Sequence, residues 1–269
     1  MADKGISFEG QWALILGASS GFGGATALEL AGIGMNIFGV HLDTRATLPN
    51  AQKIAAQIEE MGREALFFNA NAANAEKRRE TLERMQERLQ KGGSTVAVLL
   101  HSLAFGTLKP YVGPSPEESI TQAQLEMTLD VMANSLVYWV QGLVGRGMMV
   151  RGGRVFAMTS AGDQRVIPTY GAVSAAKAAL ESHIRQLATE LGPQGITVNA
   201  IKAGITDTPA LRRIPGHERL LEEAKRRNPS GRITTPEDIS GAIAALCTAQ
   251  TQWLTGGVIS VDGGEDIVV

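Results

Sequence analysis

Three side chains in one short stretch, Ser160, Tyr170 and Lys177, combine a hydroxyl, a phenol and an ammonium. Such groups suit chemistry at a carbonyl oxygen. The phenol donates to an oxygen that gains negative charge, the ammonium favours that donation, and the serine adds a second contact or an orienting group. Tyr170 and Lys177 lie seven residues apart. If both are helical, about 3.6 residues per turn sets them on one face, two turns and roughly 10 Å apart. That gap suits two groups reaching different parts of one bound molecule.

An apolar run, Gly153-Arg154-Val155-Phe156-Ala157-Met158, precedes this stretch and an Ala-rich helical pattern follows it. A strand end and a helix start must therefore position the three groups. Apolar β-like runs near 11–17, 35–41, 65–70, 95–101, 153–159, 196–201 and 257–261 alternate with helical patterns near 22–33, 46–61, 75–90, 121–147, 171–191, 217–227 and 236–248. This alternation predicts an α/β fold: one doubly wound domain over 1–269, a parallel sheet of seven strands flanked by helices. Around 206–231, Leu211, Ile214, Leu220 and Leu221 lie among charges and read as a helical lid.

The first strand runs into Gly17-Ala18-Ser19-Ser20-Gly21-Phe22-Gly23 and then a helix. Glycines let backbone approach a ligand closely, and a helix start offers free N–H groups to a pyrophosphate. At the end of the second strand stands His41, with Asp43 and Arg45 beyond it. A carboxylate repels a 2′-phosphate and a guanidinium clamps one. NADPH is expected, held by His41 and Arg45; NADH, held through Asp43, is the less favoured choice.

Ser160, Tyr170 and Lys177, with Gly17, Gly21 and Gly23, resemble the catalytic set and cofactor turn of the short-chain dehydrogenase/reductases. Most of that family place Tyr four residues before Lys, where this chain has Val173. The seven-residue spacing resembles the bacterial enoyl-acyl carrier protein reductases, and the ordinary Gly turn resembles their type III branch. His101-Ser102-Leu103 and Ala203-Gly204 are similar to that branch, where ketone-reducing members carry Asn-Asn-Ala-Gly and Pro-Gly. Those members also place a relay Asn where this chain has Met132, with Asn134 two residues on.

The resemblance implies a Rossmann-type fold and NADPH-dependent hydride transfer to the β-carbon of a trans-2-enoyl thioester, in fatty acid biosynthesis. Tyr170 would hold the enolate oxygen and Lys177 the nicotinamide ribose. Asn71 and Ala72 would line the adenine, His101 and Ser102 the ribose, Gly204 and Ile205 the nicotinamide amide, and Thr208 the phosphates. No metal is implied. The thioester would sit on acyl carrier protein or coenzyme A, and basic Arg212, Arg213, Lys225, Arg226 and Arg227 suit an acidic carrier. A homotetramer is implied as well. The alternatives are a carbonyl reductase or alcohol dehydrogenase of the same family, and a dinucleotide-sensing module without turnover.

Composition is consistent with such an enzyme. The chain has 269 residues, 44% of them apolar, and a formal net charge of −2. A full core can be buried, and no basic run points to nucleic acid or anionic lipid. No stretch reaches the ~20 apolar residues of a membrane span, and the N-terminal residues lack a signal-peptide core. A lone Cys247 in an apolar run reads as a core residue in a reducing compartment. The expected location is cytoplasmic.

Overall fold

The computed structural model describes residues 8–268. Its seven strands are β1 (Trp12–Leu16), β2 (Asn36–His41), β3 (Ala65–Asn69), β4 (Val96–His101), β5 (Arg154–Ser160), β6 (Thr197–Ala203) and β7 (Val258–Val261). They form one sheet in the order β3-β2-β1-β4-β5-β6-β7, every pair parallel. β1 and most of β5 are buried throughout. Helices cover both faces, which is why these strands read as continuous apolar runs rather than alternating ones.

Among the described residues eight α-helices flank the sheet: α1 (Gly21–Gly32), α2 (Leu48–Glu60), α3 (Ala75–Gly92), α4 (Gln122–Leu129), α5 (Ser135–Gly145), α6 (Gly171–Leu191), α7 (His217–Arg227) and α8 (Pro236–Leu246). Local chemistry sets several of their ends. The Asn74 side chain accepts the Lys77 N–H at 2.9 Å to start α3, and Gly93 ends it at φ 62°. Thr235 and Asp238 cap each other to start α8, with Pro236 at its first turn.

One core lies under α3, α5 and α6 and holds Trp12, Phe38, Met85, Trp139, Leu180 and Ile184. The other lies under α1, α2 and α8 and holds Ile15, Leu30, Ile37, Ile58, Phe156 and Ile243. Each such side chain contributes about 1.5–3 kcal/mol by leaving water. The charged α3 is a solvated face, as its mixed charges suggest, with ion pairs Lys77–Glu80 and Arg79–Glu83. It also roofs the core: Arg84 lies over Phe68 and Arg88 over Trp12. Cys247 is buried, and burial pushes its thiol up to about 12.

The expected helix near 121–147 forms with one wide π-turn inside it, Asp130–Asn134, which joins α4 to α5 while the backbone stays helical. There the Ser135 hydroxyl donates to the Val131 carbonyl at 2.8 Å, and Val131 and Met132 pack against Val173 and Ala176 of α6. Such turns gather at functional sites, and this one backs the helix that carries Lys177. Strand order reverses between β1 and β4, so a crevice opens beyond their C-terminal ends. Among the described residues no helix is long and apolar enough to cross a membrane.

Candidate active site

One end of the crevice is built from the lack of side chains. Gly17 has φ 95°, and a Cβ on it would stand 2.4 Å from the Ser102 carbonyl oxygen. A Cβ on Gly23 would stand 2.1 Å from the Gly17 oxygen. Helix α1 thus starts against β1, and Ser20 precedes it in extended conformation with no side-chain cap. The first-turn amides stay available to an anion. Thr208 reaches this point from the far side, its methyl 3.6 Å from where a Gly21 Cβ would be. Its hydroxyl accepts the Leu211 N–H at 3.2 Å and keeps its own proton to donate. Phe22 is half-buried beneath the turn.

The adenosine end differs from expectation. His41 is buried, and its Nδ1 lies 2.7 Å from Asp43 Oδ2. Burial opposes ionisation of Asp43, but hydrogen bonds from Thr47, Ser19 and His41 hold its carboxyl below the usual range. Asn69, at the end of β3, fixes the Asp43 backbone with two hydrogen bonds of 3.0 Å. Arg45 is exposed. Of the expected 2′-phosphate pair, His41 is paired with the Asp43 carboxylate and Arg45 is left exposed. Asn71 forms a local turn with the Ala73 N–H at 3.0 Å. The Ala72 carbonyl accepts from Trp139 Nε1 at 2.9 Å.

At the catalytic end, Tyr170 caps α6 rather than lying within it, with φ −89° and ψ 0°. Its ring packs on Gly162, where a Cβ would stand 2.7 Å from Cε1. Burial pushes the phenol above its ordinary value, and the nearby Ser160 hydroxyl opposes that rise. The Ser160 hydroxyl is buried and meets no partner at hydrogen-bond geometry. A hydrogen bond from Ser174 to the Gly162 carbonyl ties this turn to α6. Lys177 is buried and donates to the Met158 carbonyl at 2.7 Å. Burial lowers its ammonium to about 8, against the pull of Glu181 one turn on.

His101 is engaged inside the fold. Its Nε2 lies 2.8 Å from Ser135 Oγ, and that hydroxyl already spends its proton on Val131. His101 therefore donates from Nε2. Burial, with the Lys177 charge adding, pushes it down to about 3, so it is neutral. The Ser102 N–H is bonded to the Leu16 carbonyl at 2.9 Å, which leaves its own carbonyl against Gly17. Asn134 Oδ1 lies 3.1 Å from His183 Nε2, and Met132 is buried against Val173 and Ala176.

Several residues near the site gave no sequence signal. Glu181 is buried and accepts the Thr159 hydroxyl at 2.7 Å; an acid one turn past Lys177 was the only hint. The Tyr111 ring lies over Gly171, where a Cβ would stand 2.8 Å from it. The Ile205 N–H, expected at the nicotinamide amide, donates to Glu265 Oε2 at 2.9 Å. Gly204 is flanked by Thr234 and Glu265. The residues fit a nicotinamide dinucleotide: a cradle that any Cβ would fill, free amides at a helix start, and at the far end a buried hydroxyl without a partner.

Comparison with known proteins agrees. Residues 17–265 match the family model described as enoyl-(acyl carrier protein) reductase. The NADH-type enoyl-[acyl-carrier-protein] reductase of Buchnera aphidicola is 30% identical over 70% of this chain and 71% of its own. The 3-oxoacyl-[acyl-carrier-protein] reductase of Pseudomonas aeruginosa is 30% identical over 96% of this chain and 98% of its own. The solved enoyl reductase structure from Candidatus Liberibacter asiaticus superposes with a TM-score of 0.85 at 25% identity, over 98% of both chains. With the family model covering residues 17–265 and the seven-stranded fold shared with these structures, the chain belongs to the enoyl-(acyl carrier protein) reductase family of short-chain dehydrogenase/reductases.

Proposed function

We propose that the protein is an NADH-dependent enoyl-thioester reductase that sends hydride to the β-carbon of a trans-2-enoyl thioester, in fatty acid biosynthesis. One observation supports the choice among family reactions: Met132, the residue read at the relay position, is apolar, 2% exposed and packed on Val173 and Ala176, while Asn134 Oδ1 is engaged by His183. An alkoxide product needs a proton delivered at once, whereas an enolate needs chiefly a donor aimed at its oxygen.

A bound nicotinamide would supply the hydride. Tyr170, kept protonated by burial, donates to the thioester oxygen as charge develops there. Lys177 carries its ammonium at neutral pH and stabilises negative charge beside the phenol. Ser160 offers the second donor. The Asp43 carboxylate, ionised beside Ser19 and His41, supports NADH, since it can accept from ribose hydroxyls and repels a 2′-phosphate. NADPH, the choice His41 and Arg45 suggested, becomes the alternative.

Arg213, Lys225 and Arg226 stand exposed on and near α7, which supports an acidic carrier protein as thioester donor and a lid role for 206–231. Edge strand β7 carries Val258 at 41% exposure, and Trp253 is 96% exposed. Such apolar surface supports association with further copies, as a homotetramer would need. The test follows cofactor absorbance with crotonyl and acetoacetyl thioesters. Crotonyl thioester should turn over with NADH, and the Asp43→Ser variant should narrow the preference over NADPH. Turnover of the acetoacetyl thioester alone would establish the second reading, a carbonyl reductase, which the Pseudomonas relative favours.

A further inference from the structure

We propose that Glu265 is a cofactor-positioning residue that ties the nicotinamide loop to helix α7, so that cofactor binding is transmitted to the lid. The proposal rests on reading the crevice as a nicotinamide site. Glu265 is 6% exposed, and its two oxygens serve two different elements. Oε2 accepts the Ile205 N–H at 2.9 Å. Oε1 faces the guanidinium of Arg227, the last residue of α7, at 3.5 Å. That contact is made through Nη2, and Arg227 Nε is buried with no hydrogen-bond partner.

The surroundings leave this carboxylate little freedom. A Cβ on Gly204 would stand 2.9 Å from Oε2 and 2.3 Å from Thr234 Oγ1, so no side chain fits between loop and acid. Asp262 accepts the Gly264 and Asp266 N–H groups at 3.0 and 3.2 Å. Asn228, the residue after α7, donates to the Asp262 carbonyl at 2.9 Å. The next acid, Asp266, lies 2.6 Å from Lys202 of β6 and 2.8 Å from Arg165, in the turn that leads to Tyr170. One short turn therefore holds the nicotinamide loop, β6, the catalytic turn and the lid together.

A buried carboxylate is costly unless its partners repay desolvation. With the Ile205 N–H already engaged, the N–H donors of a carboxamide would find the Ile205 carbonyl and Glu265 as acceptors. A donor added to a carboxylate shared with Arg227 links cofactor affinity to the position of the α7 end in one coupling energy.

Two readouts besides turnover test this in the full-length protein: NADH affinity by fluorescence, and trypsin cleavage after Lys225 and Arg226 with and without NADH. In the parent protein NADH should slow cleavage. Glu265→Gln keeps an acceptor and loses the charge pair, so affinity should stay within about threefold while protection disappears. Glu265→Ala should lose protection and about tenfold in affinity. Arg227→Gln, at the end of α7, should behave as Glu265→Gln and serves if the Ala variant fails to fold. Protection retained in both Gln variants would overturn the coupling, and so would NADH binding without protection in the parent. A parent protein that binds neither NADH nor NADPH would overturn the nicotinamide reading, and this proposal with it.

Discussion

The two ends of the crevice are made rigid in opposite ways. At the β1–α1 end, backbone touches backbone: Gly17 and Gly23 leave no room for even a methyl group. At the β5–α6 end, polar groups are held away from water: Lys177, Glu181 and His101 are all buried, and the Ser160 hydroxyl has no partner. Contact makes the first end stable as it makes it functional. The second end holds charge and unmade hydrogen bonds at a cost in stability. A lesion in the cradle should thus remove fold and binding together, and a lesion in the catalytic end should remove rate while the fold survives.

The largest expected effect is that of Gly23→Ala. Its methyl group would meet a backbone oxygen at 2.1 Å, and neither backbone can yield cheaply. A loss of about 3 kcal/mol or more in urea unfolding is expected, together with loss of NADH binding. A variant that unfolds and binds like its parent would break the contrast.

Next comes Tyr170→Phe, with a rate loss of about 10²–10⁴-fold. The ring still packs on Gly162 and the Met132 cluster, so the urea midpoint should not fall. A midpoint that drops along with the rate would mean that the phenol is structural.

Lys177 sharpens the comparison through pH. Its folded value of about 8 lies below the ordinary 10.5, so between those limits the unfolded chain binds the proton and the folded chain does not. Stability then rises with pH across that window. Cys247, pushed up to about 12 from 9, acts in the opposite sense above pH 9. The difference between the parent and Lys177→Met isolates the lysine: it should grow in the parent's favour by about 3 kcal/mol from pH 8 to 10.5. Activity should decline as pH rises through about 8, where the ammonium is lost. A difference that stays flat with pH would place Lys177 in water.

How much of this was legible depended on whether the signal was local. All seven strands and the helix starts at Ala75, Gly171 and Pro236 could be read, because apolar runs and caps act over a few neighbouring residues. Tyr170 and Lys177 were legible through the family resemblance that they carry with Ser160 and the Gly turn, not through their spacing alone. The Asp43–His41 contact was open to reading, yet its direction was set by Asn69, distant in sequence. Arg165 and Asp266 lie 101 residues apart, and Ile205 and Glu265 lie 60 apart; nothing in a single sequence pairs them. The π-turn at Asp130–Asn134 was missed because helical periodicity continues on both sides of it.

Thr169 offers the smallest effect and the finest test. Among the described residues it is the only one besides glycine with positive φ, at 63°. It is β-branched, its hydroxyl is buried without a partner, and it directly precedes Tyr170. A left-handed conformation costs such a residue about 1–2 kcal/mol, and the turn is held shut by Ser174 and Gly162. Asn tolerates this conformation without the added unfolded-state freedom of Gly. Thr169→Asn should therefore gain about 1 kcal/mol in urea unfolding. If the stiff threonine aims the phenol, kcat should fall while KM for NADH stays put. A gain in stability with kcat unchanged would mean that the strain at this end serves no positioning. The catalytic end would then differ from the cradle in its buried charge alone.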